Sequence, residues 1–316
     1  MCSAIRHNGL EPEAVNLQNT GNVPLASLLY GYLKMGLPVI LIVQIPDSGW
    51  HGITLTGYSL LSGIHSMEEV PGNTSIAPMV GRRIDRFYGH DDQIGPNSKL
   101  VVEPSPIPTI NGQPVARPGN TQCPIRLASA WKNKRGFPTS LYPVAVAVPV
   151  YSKIRLTFLE VQAWITPLQA LFARLLPEPQ KIEWDVHLTL SNVYKQEIRT
   201  DPDLTESARA SLLMNHHPRF WWKATMRYDG VPFCHLLFDA TGIARSFPLS
   251  MVVWPVDGFA KALRVILDQA SPLLPSLREL LRSDRDNTSD RYMTFLRTTL
   301  DQRATPAEAL QQHLKH

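Results

Sequence analysis

The chain has 316 residues, 44 % of them apolar and 18 % charged, enough for about two globular domains and too apolar for a disordered chain. Its net charge of +4 and sequence pI near 9.0 come without any block of consecutive Lys or Arg, so no nucleic-acid or membrane footprint is expected. Three scattered cysteines, Cys2, Cys123 and Cys234, exclude a disulfide framework, and no run of 18 apolar residues predicts a membrane span. Without a signal peptide at its polar start, the chain is expected in the reducing cytoplasm.

In chain order, Cys2 to His7 predicts a short helix stopped at Asn8-Gly9, and a short strand is placed at Ala14 to Leu17. Pro24 opens an amphipathic helix with Leu25, Leu28, Leu29, Tyr32 and Leu33 on one face, ended by Gly36 and Pro38. Val39 to Ile45 is an apolar strand without alternation, expected to be buried on both faces. Pro46-Asp47-Ser48-Gly49 turns it into a second strand, His51 to Tyr58. Leu60 to Gly81, with Pro71-Gly72-Asn73, reads as a surface excursion. Arg83 to Tyr88 is a third strand, with Asp91 just past its end, and Lys99 to Glu103 a fourth.

Pro104 to Pro124 holds six prolines and two glycines and reads as a linker or extended arm reaching to about residue 140. Leu141 to Val150 is a strand interrupted by Pro143 and Pro149. Leu156 to Leu176 is a long apolar helix, kinked or restarted at Pro167. Glu183 to Asn192 alternates as a half-buried strand, with Glu183, Asp185, His187 and Thr189 on its polar face. A helix at Leu204 to Met214 follows. Phe220 to Arg227 and Phe233 to Asp239 form a hairpin, and Leu249 to Trp254 is a strand. Helices are placed at Gly258 to Gln269, Pro275 to Leu281, Tyr292 to Leu300 and Pro306 to Leu314.

Several residues invite chemistry. His51 heads an apolar strand between Trp50 and Gly52, while Asp91-Asp92 end another; a base and its orienting acid are displayed in this way. Turn chemistry is the plainer role for the two aspartates. His90 points to the opposite face from Asp91, and His65 lies in a loop. Cys234-His235 cannot pair with each other, because neighbours in a strand face opposite sides; Cys234 reads as a small core residue. His216-His217 with His235 and Asp239 have no spacing that fixes a metal site, and no motif calls for a metal or a cofactor. Phe220-Trp221-Trp222 reads as core with one exposed ring rather than a base-stacking platform, because no basic stripe accompanies it.

Three pieces in fixed order resemble a known family. They are the helix Leu25 to Leu33 with Gly36-Leu37-Pro38-Val39-Ile40-Leu41, then Trp50-His51-Gly52-Ile53-Thr54-Leu55-Thr56-Gly57-Tyr58, then Phe87-Tyr88-Gly89-His90-Asp91-Asp92-Gln93-Ile94-Gly95-Pro96. Together they resemble the second half of a papain-like cysteine peptidase domain, in the variant of the bacterial double-glycine (bacteriocin-processing) peptidase-like group. The resemblance covers about residues 1 to 103.

The resemblance implies an α+β fold, a papain-like half-domain with an antiparallel sheet at 1–103. An α+β domain at 141–282 would follow the 104–140 linker, with a polar helical tail at 283–316. It further implies His51 as the base that activates a thiol, Asp91 as its orienting acid and Asp92 as the alternate. The implied reaction is thiolate-dependent acyl transfer at a peptide or amide bond, without a cofactor. The family's nucleophile opens a long helix behind a glutamine. Here Cys2 is the only cysteine before His51, and its segment resembles the family's following helix. The expectation is therefore a peptidase-like chain without an evident nucleophile, or a binding module that holds a peptide or protein without cutting it.

Overall fold

Alternation, turns and long-range pairing together make this a mostly β protein. The computed structural model describes residues 1–18, 23–62, 77–105, 109–110, 113–114, 118–121, 123–132, 135–175, 178–202, 204, 206–242 and 249–253. His65 and the expected helices beyond residue 257 lie outside them. Among the described residues no helix is long and apolar enough to cross a membrane.

The chain opens with helix α1 (Cys2–His7), closed by Gly9 at φ +75°, and strand β1 (Leu10–Asn16). Helix α2 (Leu25–Leu33) is buried along its whole length. Four strands then run as a meander: β2 (Val39–Ile45), β3 (Gly49–Leu60), β4 (Ile84–Asp91) and β5 (Gly95–Pro104). A two-residue pair, β6 (Thr109–Ile110) and β7 (Gln113–Pro114), interrupts before β8 (Ile125–Lys132) and the long β9 (Pro138–Tyr151).

Each barrel strand pairs antiparallel with the next, from β2 to β5, to β8, to β9, and β9 pairs back on β2. Six strands therefore close on themselves, the arrangement that leaves a sheet no free edge. Strand β1 adds to the far half of β9, from Leu10↔Tyr151 to Asn16↔Ala145. Inside, alternate residues fill the lumen: Val39, Leu41, Val43 and Ile45 of β2, Ile53 and Leu55 of β3, Phe87 of β4, and Leu100 and Val102 of β5. Gly89 sits in this inward row because a Cβ there would stand 2.9 Å from the Thr54 carbonyl oxygen.

This closed barrel corrects the papain-like α+β expectation. Strands β2 to β5 are close to where their patterns place them, but they do not form an open sheet backed by a nucleophile helix. The residues expected to be linker contain β8, and Leu141 to Val150, expected to open a second domain, lies within β9. Pro143 and Pro149 are tolerated in that strand, the first at a register shift opposite Val43 and the second opposite Pro12 of β1, the end strand of the sheet order. The strand β2 also differs from expectation: one face is buried and the other half-buried, as barrel closure requires.

Beyond the barrel lie helix α3 (Phe158–Leu175), continuous through Pro167, strand β10 (Ile182–Leu190), helices α4 (Ser191–Thr200) and α5 (Glu206–Met214), and strands β11 (Phe220–Tyr228), β12 (Val231–Asp239) and β13 (Leu249–Val253). These strands form a four-stranded sheet in the order β10-β11-β12-β13. The β11–β12 turn has Asp229 at φ 52° and Gly230 at φ 78°, the left-handed pair that a two-residue hairpin demands. The chain divides into two compact units. The first is Met1–Thr166 with Trp184–Leu188, and the second is Pro167–Glu183 with the residues from Thr189 onward. In the second unit Tyr194, Ile198, Leu204, Leu212, Trp221 and Leu237 form one apolar cluster.

Candidate functional site

The turns joining β2 to β3, β4 to β5 and β8 to β9 all lie at one end of the barrel, because successive antiparallel strands reverse direction. At that end the last inward positions are not aliphatic. Continuing the rows Leu55-Ile53, Phe87-Gly89 and Leu127-Ser129 brings in His51, Asp91 and Trp131. Strands β3 and β8 stand opposite each other in a six-stranded ring, so Trp131 meets His51 across the lumen. Their rings are edge to face with centroids 4.8 Å apart.

Asp91 is buried and held from several sides. Its Oδ1 accepts the amide N–H groups of Gln93 at 2.9 Å and Ile94 at 3.1 Å, an Asx turn that starts the β4–β5 connection. Its Oδ2 accepts the Trp131 Nε1–H at 2.8 Å. Burial raises the Asp91 carboxyl, but these hydrogen bonds, with the charge of the His51 ring, overcome it and hold the group below its ordinary value. His51 Nε2 lies 3.2 Å from Asp91 Oδ1 and 3.5 Å from Asp92 Oδ1. The Nε2 atom is buried, and at neither oxygen is the angle that of a hydrogen bond, so these are ion-pair distances and not aligned bonds. The Asp92 side chain is 80 % exposed. The three ligand-type atoms lie within 4.8 Å of one another.

The structure thus brings His51, Asp91 and Asp92 together and leaves Cys2 out. Through Val43, His51 shares a level with Pro143 of β9, whereas Leu10 pairs with Tyr151. The eight steps from Pro143 to Tyr151 span about 26 Å, and α1 is only about 9 Å long. Even folded straight back along β1, α1 leaves Cys2 on the order of 10 Å or more from His51, out of reach of a thiol–imidazole hydrogen bond.

Of the other candidates, His216 is exposed, and most of the rest are occupied or buried. His217 offers Nε2 to the Leu212 carbonyl at 2.8 Å and receives the Trp221 Nε1–H on Nδ1 at 3.3 Å, which leaves no nitrogen for a metal. His235 Nδ1 meets Thr225 Oγ1 at 2.9 Å, and Asp239 Oδ1 accepts the Thr241 amide at 2.8 Å. Cys234 is fully buried, opposite Met226 on β12's other face from His235, and burial raises its thiol well above the ordinary value. Cys123 is buried. Phe220, Trp221 and Trp222 are all buried, so none offers the exposed ring expected of that triplet. His90 is exposed at the outward position beside Asp91.

Trp131 does not stand out as a site residue in the sequence, because its segment reads as part of the 104–140 linker. The alternation Ile125, Leu127, Ser129, Trp131 was the available signal. Also missed was a second cluster: Asp185 on β10 accepts hydrogen bonds from Tyr30 Oη at 2.9 Å and Lys34 Nζ at 2.9 Å, and faces His187 Nδ1 at 3.0 Å. The sequence puts Asp185 and His187 on the polar face of a half-buried strand, yet both are buried.

No family model, no curated protein and no solved structure matches this chain at a significant level.

Proposed function

We propose that the barrel is a non-catalytic module that holds a basic peptide or protein segment at the end carrying the β2–β3 and β4–β5 turns. The observation that carries this reading is Trp50, 63 % exposed beside His51, with the exposed carboxylates of Asp47 and Asp92 on those two turns. An exposed indole at a barrel end that also carries two exposed carboxylates suits an Arg or Lys side chain. The ring face attracts the cation by about 0.5–1 kcal/mol at an exposed site, and Trp is among the residues that dominate binding energies. Phe137, 64 % exposed at the β8–β9 connection, is a second exposed ring at the same end.

A thiol-dependent peptidase is the less favoured reading. It keeps His51 as base and Asp91 as orienting acid, but its nucleophile would have to be Cys2, which β-strand register places apart from them.

Selection of the immobilised chain against a random-peptide library tests the proposal. Enriched peptides should carry Arg or Lys, and their affinity, measured by calorimetry, should fall at least about tenfold in Trp50→Ala. No basic enrichment, or unchanged binding by Trp50→Ala, would refute it. So would hydrolysis of a fluorogenic peptide that disappears in Cys2→Ala.

A further inference from the structure

His51, Asp91 and Asp92 pose an electrostatic problem that their own hydrogen bonds do not solve. A buried imidazole nitrogen faces two carboxylate oxygens at 3.2 and 3.5 Å and makes an aligned hydrogen bond with neither. If Nε2 carries no proton, its lone pair sits buried within 3.5 Å of two anionic oxygens. If it carries one, the N–H is buried and misaligned. A cation among the three atoms removes the conflict in the first case, since each then donates a lone pair to it.

The dimensions at His51 agree. Zinc bonds of about 2.0–2.1 Å in tetrahedral geometry place neighbouring ligand atoms about 3.3–3.4 Å apart, and the two edges at His51 are 3.2 and 3.5 Å. The remaining edge, between the carboxylates, lies within 4.8 Å. It is bounded by the exposed Asp92, so it opens on the solvent side. The supporting shell is present as well. The Gln93 and Ile94 amides and the Trp131 indole fix the Asp91 carboxylate, and the Trp131 ring packs against the His51 ring. Metal sites need ligand-orienting partners of this kind.

We propose that the barrel end binds a divalent metal ion through His51 Nε2, Asp91 Oδ1 and Asp92 Oδ1. One imidazole and two carboxylates suit Zn²⁺ or Mn²⁺. The open side leaves positions for water or for a donor atom of a partner. This site goes beyond the peptide-binding reading and stands without it, although Asp92 belongs to both; Trp50→Ala removes the peptide and leaves the metal ligands intact.

Calorimetric titration of the full chain with ZnCl₂ and with MnCl₂ in a non-chelating buffer at pH 7.5 tests it. One saturable site is expected for at least one of the two ions, together with a rise in melting temperature that grows with metal concentration. Affinity should fall at least about tenfold in Asp92→Ala, and likewise in His51→Gln. Asp92 is exposed, so its variant keeps the fold if the largely buried His51 variant does not. Binding that survives Asp92→Ala but falls in His216→Ala, which alters an exposed histidine outside the site, would mean an adventitious ion only. That result, or no saturable binding of either ion, overturns the proposal.

Discussion

Among the described residues of the first unit, two histidine–aspartate clusters differ in how completely they are satisfied. Around Asp185 every direction is filled. Tyr30 Oη and His187 Nδ1 approach Oδ1, Lys34 Nζ bridges both oxygens, and the same ammonium donates to Tyr30 Oη at 2.8 Å. Burial opposes ionisation, yet the His187 ring and the Lys34 ammonium outweigh it and hold Asp185 far below the usual carboxylate range. Around Asp91 the carboxylate is equally well held, but its histidine is not: Nε2 lacks an aligned partner, and the third member, Asp92, projects into solvent. A closed network fixes a fold. An open one at a barrel mouth, beside an exposed tryptophan, has capacity left for a ligand. That contrast separates a structural cluster from a candidate site better than residue type does, since both contain the same histidine–aspartate chemistry.

The largest effect should come from breaking the closed network. Asp185→Ala leaves the Lys34 ammonium and the buried His187 ring without their shared anion. Removing one partner of a buried ion pair costs about 3 kcal/mol or more, and a lower urea midpoint for the first unit would measure it. The pH dependence has a definite sign. The folded-state pKa of Asp185 is depressed, so its contribution is present above the ordinary value of 3.8 and is lost as pH falls towards the folded value. Acid unfolding should therefore begin earlier in Asp185→Ala than in the parent. Equal stabilities at pH 7 would remove the distinction between the two clusters.

Glu13 sharpens the comparison from the other side, as a carboxyl with too few partners. Burial raises it to about 7, against hydrogen bonds from Tyr32 and the Phe158 amide and with Glu160 adding repulsion. Its Oε1 is buried and has no hydrogen bond among the described residues. A raised folded-state pKa reverses the sign. The stabilising contribution is complete below the ordinary value of 4.5 and is lost as pH rises through about 7. Glu13→Gln cannot ionise, so it should be about 3 kcal/mol more stable than the parent at pH 8 and within about 1 kcal/mol of it at pH 5. Chemical denaturation at the two pH values checks this, and a parent without any loss between them would contradict it.

Local patterns carried the elements and not their closure. Gly36-Leu37-Pro38 and the β-branched run after it define β2, and Tyr228 to Pro232 announces a hairpin. Nothing local says that β9 returns to β2, a pairing across a hundred residues. The proline-rich stretch drew a domain boundary where the chain makes a short excursion between two barrel strands. The site was legible in part for the same reason. His51, Asp91 and Asp92 lie at strand ends flanking turns, which sequence shows. Trp131 reaches them only because β8 stands opposite β3 in a closed ring. Asp185 and His187 alternate with apolar residues like a solvent face, and their burial depends on Lys34 and Tyr30, some 150 residues away in the chain.

Trp131→Phe probes the open network with the smallest change. It keeps a ring of similar bulk beside His51 and deletes the Nε1–H that Asp91 Oδ2 accepts. A buried carboxylate oxygen deprived of one donor costs about 1–2 kcal/mol, less than at Asp185, because Oδ1 keeps both backbone amides. The deleted bond is one of those that hold the Asp91 carboxyl low, so its pKa should move up towards the ordinary value, which a carboxylate titration by NMR would follow. Metal affinity should drop alongside, since an unheld carboxylate is a poorer ligand. A stability loss with unchanged metal affinity would make Trp131 and Asp91 a plug of the barrel and nothing more. Paired losses would tie that plug to the open nitrogen of His51.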